Sequence, residues 1–408
     1  MKKLITLGLT AAMVASLTAC GSGNGGDTTT AAAGGAETTA AGDSGTSDNS
    51  GAGASAEGTF KIGVIGPLTG PAAAYGIAVQ NGADLAVKEI NAAGGANGIM
   101  LESNAQDDEH DPQKTVNAYN TLKDWGAKAI VGSTTSDPCI AVAAESSNDN
   151  MFQITPSGSA VECVAPDNVF RVCFADPDQG TASAVYIGEN KLAGKVAVIY
   201  DSSTTYSSGI REAFVKEASN QGLEIVADEA FTADNATDFS VQLDKAKESG
   251  AELVFLPIYY QEASVILKQA SDKDFAPIFF GCDGMDGILT VENFDTSLAE
   301  DLMLLTPFST TEEGSKAFTE AYVAAYGIEP NQFAADSYDA VYAIKAAIEK
   351  SGIGADADYS AVCDAFKTAM TEITIDGLTG AGMTWNASGE PDKAPKAVKI
   401  VNGVYEMQ

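Results

Sequence analysis

The stretch Phe60 to Gly95, FKIGVIGPLTGPAAAYGIAVQNGADLAVKEINAAGG, decides how this chain folds. Phe60 to Ile65 is a short run rich in apolar residues that stops at Gly66-Pro67, which predicts a buried parallel strand. After this turn, apolar residues from Val79 to Ile90 recur at three- and four-residue spacing, and Gly94-Gly95 ends the pattern. The stretch therefore predicts one strand–turn–helix unit of a doubly wound sheet, whose ligands lie beyond the carboxyl ends of the strands.

The turn of this unit is not a nucleotide-binding loop. The sequence GPLTGP, residues 66–71, has neither the dinucleotide spacing nor the Walker spacing of glycines. Pro67 also lacks the backbone N–H that a phosphate-binding loop would need at this place. We therefore expect the segment from Gly66 to Tyr75 to border a crevice for another kind of ligand.

Similar units follow along the chain of 408 residues, which is long enough for two domains. Further strands are predicted at 100–106, 127–131, 151–154, 169–174, 195–200, 223–231, 252–258, 277–280 and 302–305. Helices are predicted at 112–125, 140–148, 209–221, 239–248 and 262–270, and then, without intervening strands, at 311–326, 332–350 and 359–371. Short strands at 383–386 and 398–401 predict a closing hairpin. Breaks in the pattern near Gln179 and Pro307 predict an α/β fold of two doubly wound, parallel-sheet lobes.

Two hydroxyl-rich turns end two neighbouring predicted strands. The first, GSTTSDP, spans residues 132–138, and the second, TPSGS, spans residues 155–159. Hydroxyl groups and free backbone N–H groups at strand ends and helix N-termini are suited to hold a carboxylate. Single turns of this kind are more often plain turn formers or helix caps. Because two of them end adjacent strands, we interpret them as a ligand site.

The N-terminal residues carry the pattern of an export signal. Residues 1–19 contain two lysines, an apolar run too short to span a bilayer permanently, and a small-residue boundary before Cys20. The sequence LTAC-G resembles the lipobox of bacterial lipoproteins, which implies that Cys20 is diacylated; the alternative is a soluble export signal with a chance cysteine. Residues 20–58 are mostly Gly, Ala, Thr and Ser, and predict a disordered linker. We expect a lipid-anchored protein on the extracytoplasmic face of the cell membrane.

Composition excludes several kinds of partner. Lysine and arginine total 23 against 56 aspartates and glutamates, which gives a formal net charge of −33. A field of this sign opposes nucleic acid and anionic lipid surfaces, and favours a soluble monomer that meets the membrane only through its anchor.

Five cysteines remain if Cys20 is lipidated, so at least one of them is unpaired. Cys163 and Cys173 are close enough in sequence for a disulfide in an oxidising exterior, but free buried thiols are the favoured interpretation for a domain of this size.

Many short motifs, taken together, resemble one family. They are IGVIGPLTGPAAAYG, NGADLAVKEINAAGG, the DDxxDP loop, IVGSTTS, ITPSGS, FRVCFADPDQG, VAVIYD, LPIYYQEA, GCDGMDG and SYDAVYAI. The chain from about Thr59 to Gln408 is similar to the type I periplasmic-binding-protein family, in particular to the lipoprotein receptors of branched-chain amino acid ABC importers. The resemblance implies a three-segment hinge, with residues 59–178 and 308–378 in an N-terminal lobe and residues 179–307 and 379–408 in a C-terminal lobe.

The resemblance also implies roles for individual residues. Ser136 and Ser159, next to Gly158, would hold the ligand carboxylate. The backbone carbonyl of Ser157 and the side chain of Asp283 would hold its ammonium group. The remaining pocket residues would be aromatic: Tyr75, Tyr206 and Tyr259. This chain departs from the family at three places. Asp283 stands where many relatives have glutamate, and the loop before Tyr206 is one residue longer than in the family. The resemblance also places His110 and Thr135 at the positions of a disulfide that some relatives have.

These residues favour a receptor that delivers a hydrophobic amino acid to an ABC transporter permease. The alternatives are the same fold binding urea, short amides or aromatic acids, or an extracytoplasmic ligand sensor. We predict that the protein is not an enzyme, since its one histidine lies outside the serine turns. No CxxC or HExxH spacing is present, and we predict neither metal nor cofactor.

The lipobox generates a prediction about location. The change Cys20→Ala removes the acylated side chain, so the protein should move from the membrane fraction to the medium or periplasm. Fractionation followed by immunoblotting measures this. A variant that stays in the membrane pellet after a high-salt wash would contradict the lipid anchor.

Overall fold

The computed structural model describes residues 58–393 and 395–408. The predicted signal peptide, Cys20 and the linker up to residue 57 lie outside the described residues. The strands are β1 (Thr59–Gly66), β2 (Met100–Asp107), β3 (Ala129–Val131), β4 (Phe152–Thr155), β5 (Val169–Arg171), β6 (Lys195–Asp201), β7 (Glu224–Phe231), β8 (Leu253–Leu256), β9 (Ile278–Gly281), β10 (Met303–Thr306), β11 (Lys396–Val401) and β12 (Val404–Met407). The α-helices are α1 (Ala73–Ala92), α2 (Pro112–Trp125), α3 (Ser136–Asp149), α4 (Asp176–Glu189), α5 (Thr205–Ala218), α6 (Ser240–Glu248), α7 (Tyr260–Asp272), α8 (Lys316–Tyr326), α9 (Gln332–Ser351) and α10 (Tyr359–Met370).

The strands form two sheets, and the predicted α/β fold class is confirmed. The first sheet is parallel throughout, in the order β2-β1-β3-β4-β5. The second has the order β12-β11-β10-β9-β8-β6-β7, with β6 to β10 parallel and the last two strands antiparallel. In both sheets the chain enters at the strand next to one edge, adds the edge strand and then reverses its direction of winding, as in doubly wound folds.

The central strand β1 is buried on both faces, as its composition predicts. Phe60, Ile62 and Val64 belong to a core that also contains residues of α1, α9 and α10. Ile65 points to the opposite core, which α2 and α3 complete. A side chain at Gly63 would collide with Leu122 of α2. Apolar residues on both faces therefore place this strand inside a helix–sheet–helix sandwich.

The chain passes between the two sheets three times. Strands β1 to β5 form the first sheet, and β6 to β10 belong to the second. Helices α8, α9 and α10 then pack against α1 and the strands of the first sheet. The final hairpin, β11 and β12, returns to the second sheet beside β10. We expect the segments at these passages to serve as the hinge.

The tail differs from the prediction. Residues 383–386 do not form a strand of either sheet and make only isolated bridges, between Ile375 and Met383 and between Trp385 and Pro391. The reason is a set of contacts with β5, because the Trp385 indole donates to the Arg171 carbonyl at 2.7 Å. Arg171 N in turn donates to the Gly389 carbonyl at 3.0 Å. The third passage thus follows residue 390, later than the predicted lobe limit at 378/379, and the limit at 178/179 falls inside α4.

Two helices begin four residues earlier than predicted, and both shifts matter for the site. The helix predicted from residue 140 begins at Ser136, and the helix predicted from residue 209 begins at Thr205. Thr204 caps the second of these, because its hydroxyl accepts a hydrogen bond from Ser207 N at 3.3 Å. Ser136 and Tyr206 therefore lie in the first turns of α3 and α5.

The five described cysteines are free and buried. Cys163 does not pair with Cys173; it packs against Cys139 and Ala160. Within the described part of the chain, no helix has the length and apolar character needed to cross a membrane.

The core around Phe366 generates a stability prediction. Its ring is fully buried, stacks on Phe60 at 5.9 Å and meets Phe152 edge-on at 5.0 Å, so it ties α10 to β1 and β4. Phe366→Ala should lower the free energy of unfolding by about 3–5 kcal/mol, measured by denaturant titration. Val241→Ala, at a side chain that is 63% exposed, is the control and should change it by less than about 0.5 kcal/mol. Equal effects of the two changes would contradict this account of the core.

Candidate functional site

The first hydroxyl-rich turn joins β3 to the N-terminus of α3. Ser133 donates a short hydrogen bond to the buried carboxylate of Asp108, and its carbonyl accepts from Thr155 Oγ1 at 2.7 Å. Ser136 is buried, and its hydroxyl oxygen accepts from Ala160 N at 3.2 Å, which leaves its own proton free to donate. Thr135 precedes α3 without a side-chain cap, so backbone N–H groups of the first turn remain available.

The second hydroxyl-rich turn, after β4, is bonded to the first. Ser157 Oγ donates to the Thr134 carbonyl at 2.5 Å, and Gly158 N donates to Thr155 Oγ1 at 2.8 Å. A Cβ atom at Gly158 would lie 2.8 Å from both Cys139 Sγ and Thr155 Oγ1, so the turn requires glycine here. The two turns therefore form one rigid polar surface at the carboxyl ends of neighbouring strands.

A buried arginine holds the second turn from behind. Arg171 Nη1 donates to the carbonyls of Gly158 at 3.2 Å and Ser159 at 2.5 Å. Its Nε lies 3.0 Å from a carboxylate oxygen of Glu390, and the arginine side chain is 0% exposed. Burial raises the pKa of Glu390, and the neighbouring guanidinium opposes that rise. Arg171 is a positioning residue that fixes where the carbonyls of this turn point.

Asp283 lies across the cleft, in a single 3₁₀ turn that follows β9. Its Oδ1 accepts a hydrogen bond from the Tyr206 hydroxyl at 2.7 Å, and its backbone N donates to Gln179 Oε1 at 3.2 Å. Burial raises the pKa of Asp283 to about 6, although the hydrogen bond from Tyr206 opposes that rise. The carboxyl group thus lies in an environment where a cation would be strongly bound.

Aromatic rings fill the space between the polar turns and Asp283. The Tyr75 ring contacts Tyr259 at 5.6 Å and Phe333 at 4.3 Å between centroids. The rings of Tyr206 and Tyr259 stack at 4.8 Å. Burial raises the pKa of the Tyr75, Tyr206 and Tyr259 hydroxyls well above the ordinary tyrosine value, so all three stay protonated. The site therefore combines an apolar wall with neutral hydroxyl donors.

These groups surround a small cavity between the two sheets. Its volume is about 10 Å³, about the room of one water molecule. Its walls belong to Tyr75, Thr134, Thr135, Ser136, Ser157, Tyr206, Tyr259, Asp283, Gly284 and Phe333. Hydrogen bonds close it directly, because Tyr75 donates to the Gly284 carbonyl and Thr205 Oγ1 donates to Asp137 Oδ1 at 2.5 Å.

Several buried polar atoms near the cavity have no hydrogen-bond partner among the described residues. They are Ser159 Oγ, both carboxylate oxygens of Asp176 and Gln179 Nε2. Asp176 is 1% exposed, and its backbone N donates to the Ser159 carbonyl at 2.9 Å. Burial raises the pKa of the Asp176 carboxyl well above its ordinary value. Unpaired buried polar atoms carry a free-energy cost, so this group is suited to accept further hydrogen bonds.

Six of the eight predicted ligand residues line the cavity: Tyr75, Ser136, Ser157, Tyr206, Tyr259 and Asp283. Gly158 and Ser159 lie directly behind Ser157 but are not part of the cavity wall. Sequence reasoning included Thr134 and Thr135 only as members of the first hydroxyl-rich turn, and it missed Gly284, Phe333 and the role of Arg171. A lone arginine inside the apolar strand VFR was a usable signal for Arg171, whereas nothing local distinguished Phe333 from a core residue.

The acidic loop before α2 supports both the helix and the first polar turn. Asp111 caps the helix, accepting from Gln113 N at 2.8 Å and Lys114 N at 2.9 Å. Asp108 is 0% exposed, and its carboxylate accepts from the Ser133 hydroxyl and from His110 N. His110 Nδ1 lies 2.8 Å from Thr135 Oγ1, so a hydrogen bond joins the two positions where the resemblance implies a disulfide in some relatives.

Comparison with known proteins identifies the family to which this architecture belongs. A family model described as "Periplasmic binding protein" matches residues 59–403. Leu/Ile/Val-binding protein homolog 3 of Brucella melitensis is 33% identical over 295 residues, covering 71% of this chain and 79% of the relative. The leucine-, isoleucine-, valine-, threonine- and alanine-binding protein of Pseudomonas aeruginosa is 29% identical over 78% of this chain and 85% of its own length.

Solved structures agree with this assignment. The branched-chain amino acid transporter substrate-binding protein LivJ from Streptococcus pneumoniae, in complex with isoleucine, has a TM-score of 0.76 and 31% identity, covering 85% of this chain and 98% of LivJ. A solute-binding protein from R. palustris in complex with benzoate has a TM-score of 0.76, covering 86% of this chain and 95% of its own, but at 20% identity it shows the fold alone. The chain therefore belongs to the periplasmic binding protein family, as its motifs predict.

Proposed function

We propose that this protein is a lipid-anchored extracytoplasmic receptor that binds a branched-chain or other hydrophobic amino acid and delivers it to an ABC transporter permease. One observation carries the proposal: between the two sheets, a hydroxyl-rich helix N-terminus at Ser136 faces the buried carboxylate of Asp283. One wall suits an anion and the other suits a cation. An α-amino acid carries both charges on neighbouring atoms.

The carboxylate end of the ligand would bind at α3. The first turn of this helix offers unpaired N–H groups and the Ser136 hydroxyl proton, and the helix dipole favours an anion there. Ser159 lies at the edge of this surface, and its buried hydroxyl is next to the Asp176 carboxyl. These donors replace the water that a carboxylate loses when the cleft closes.

The ammonium end would bind at Asp283. An ammonium group leaving water needs a carboxylate and further acceptors, because an isolated buried charge is heavily penalised. Asp283 supplies the charge, and the Ser157 carbonyl, on the opposite wall, supplies an acceptor. Asp176 adds two unpaired carboxylate oxygens close to Ser159. A ligand without a cation would leave these acidic groups uncompensated, which weighs against aromatic acids, urea and short amides.

The aromatic wall would contact the ligand side chain. Tyr75 and Phe333 approach from the elements of the first sheet, and Tyr206 and Tyr259 approach from those of the second. Their rings offer a large apolar surface with little side-chain freedom to lose. Such a surface favours hydrophobic amino acids over charged ones.

Binding would require the two lobes to separate and close again. A cavity of about 10 Å³ cannot admit an amino acid while Tyr75 bonds to Gly284 across the cleft. Rotation about the three passages between the sheets would open the walls, and a ligand that contacts both walls would favour the closed arrangement. The lipobox at Cys20 and the name of the Streptococcus pneumoniae structure, a transporter substrate-binding protein, support delivery to a membrane permease. The strong negative net charge of the chain supports a monomeric receptor.

The two walls generate an affinity prediction. Ser136→Ala and Ser159→Ala should each weaken amino acid binding by roughly 1 to 3 kcal/mol, the usual loss for a hydrogen bond to a charged group. Asp283→Ala should weaken it by roughly 3 to 5 kcal/mol, about two to four decades in Kd, because it leaves the ammonium unpaired.

Calorimetry against all amino acids, urea, acetamide and benzoate measures these losses. Ser249→Ala and Asp244→Ala, on and after α6 outside the cavity, are the matched controls and should bind as the parent does. Unchanged affinity in both serine variants would remove the turns from the site. Preference of the parent for benzoate or urea over every amino acid would replace the proposal with its alternative.

The raised pKa of Asp283 generates a prediction about stability. Removal of the carboxylate should weaken ligand binding but stabilise the unliganded fold. A carboxyl with a pKa of about 6 in the folded protein and 3.8 when unfolded stabilises the fold at low pH, and this stabilisation is lost as pH rises through about 6. Asp283→Asn should therefore raise the free energy of unfolding at about pH 7.5 by roughly 1 to 3 kcal/mol, and change it little at about pH 4.

Denaturant titration of the unliganded protein at both pH values tests this. Asp286 and Asp336 also have pKa values raised to about 6 by burial, so the parent should lose stability as the pH rises from about 4 to about 7. His110, whose pKa burial lowers, contributes in the opposite direction. Lower stability of Asp283→Asn at about pH 7.5 would show that this carboxylate stabilises the empty receptor.

A further inference from the structure

A second groove, separate from the cavity, lies between the two sheets on the side of α1. Its volume is about 820 Å³, within the range of small-molecule pockets. One wall is formed by the first turns of α1 and by the connection from α8 to α9. The other wall is formed by the start of α7, residues 286–292 and the beginning of β12. An occupant would therefore touch elements of both sheets at once.

The rim of this groove is unusually apolar. The described residues include six large hydrophobic side chains that are exposed, and three of them border the groove. They are Ile77 at 40% exposure, Ile328 at 54% and Val404 at 45%. Scattered exposed hydrophobic residues need no explanation, but a concentration at one concave place indicates a binding surface.

The charged groups of the groove are all acidic. Asp286 lies at its base and is 5% exposed, whereas Glu292 and Glu329 are exposed at its edge. Among the described residues that line the groove, none is a lysine or arginine. An apolar surface with acids and no compensating base favours an occupant that has an apolar body and a positive charge.

The base of the groove is in direct contact with the amino acid cavity. Tyr260 lines the groove, accepts a hydrogen bond from Ala74 N at 3.2 Å, and meets the Tyr75 ring edge-on at 4.8 Å. Asp286 N donates to the Asp283 carbonyl at 2.9 Å. Gln332 joins both acids to α9, because its N donates to Asp286 Oδ2 at 2.8 Å and its Nε2 to the Asp283 carbonyl at 3.3 Å.

We propose that this groove is a second ligand site, which takes a small amphipathic organic cation such as a protonated aryl-alkyl amine. The apolar body lies against Ile77, Ile328 and Val404, and the ammonium group is paired by the acids at the base and edge. Because the cation contacts both sheets, it stabilises the closed arrangement and raises the affinity of the cavity for its amino acid. This coupling rests on the proposed function; binding in the groove does not.

The binding test uses 4-phenylbutylamine as the probe and calorimetry on the purified chain. The neutral 4-phenylbutanol and the anionic 4-phenylbutyrate are matched in size and differ in charge. We expect the amine to bind at least about tenfold more tightly than the alcohol, and the carboxylate not to bind. Equal binding of all three compounds, or no binding of the amine, would overturn the proposal. Binding of a basic peptide but not of the amine would overturn it in favour of a protein partner.

Variants locate the probe. Ile77→Arg and Val404→Arg place positive charge at the exposed rim, and each should weaken amine binding at least about tenfold. Val241→Arg, at an exposed valine on α6 outside the groove, is the control and should bind the amine as the parent does. Asp283→Ala should retain amine binding. If Asp283→Ala loses amine binding while the rim variants keep it, the amine binds in the amino acid cavity, and the assignment of the groove as its site is overturned.

The coupling is tested by reciprocity. Saturating amine should lower the Kd for L-leucine, and saturating L-leucine should lower the Kd for the amine by the same factor, at least about threefold. Unchanged values in both titrations would overturn the proposed stabilisation of the closed arrangement. Absence of binding of every hydrophobic amino acid, with intact amine binding, would contradict the proposed function and leave the groove site standing.

Discussion

The buried guanidinium of Arg171 is the interaction on which most of the site depends. It lies at the end of β5 and is 0% exposed. Its side chain binds the carbonyls of Gly158 and Ser159 in the second polar turn, and Glu390 in the segment of the third passage. A charge in this position is tolerated because two carbonyls and the Glu390 carboxylate surround the guanidinium, and removal of one partner would leave the others unpaired. One residue thereby fixes both the second polar turn and the chain that leaves the first sheet.

Buried acidic residues are the second constraint. Their carboxylates lower the stability of the fold, and they favour the binding of a cation. Asp283, Asp286 and Asp336 all have pKa values raised to about 6 by burial. Only Asp336 has a lysine partner, since Lys393 lies 3.1 Å away with both side chains almost fully buried. A carboxylate that is poorly solvated in the empty protein gains more from a ligand cation than one already satisfied by water. In the proposed function, the cost of burying Asp283 in folding stability is therefore the source of its affinity for the ligand.

The layer of side chains between the two sheets controls whether the cleft is open or closed. Tyr75, Tyr260 and Gln332 each bond across the cleft, and the aromatic rings between them leave almost no free volume. Close-packed layers of this kind have discrete arrangements rather than continuous deformation, which suits a receptor with an open and a closed state. The groove beside α1 is lined by Tyr260 and Asp286, which contact Tyr75 and the Asp283 backbone of this layer, so a molecule bound there would act on the same equilibrium.

The sequence by itself determined the fold class, the order of the elements and the family. Apolar runs that stop at Gly-Pro or at hydroxyl-rich turns are local patterns, and strand and helix periodicity can be recognised without knowing the neighbours. The motifs around Tyr75, Ser136 and Asp283 also identified most of the cavity wall. Only the tertiary structure decided which residues contact each other. Arg171 contacts Glu390 and Phe333 contacts Tyr75, although more than two hundred residues separate the two members of each pair. The depth of burial, the raised pKa of Asp283 and the return of residues 383–390 to β5 depend on three-dimensional packing, and no local sequence pattern encodes them.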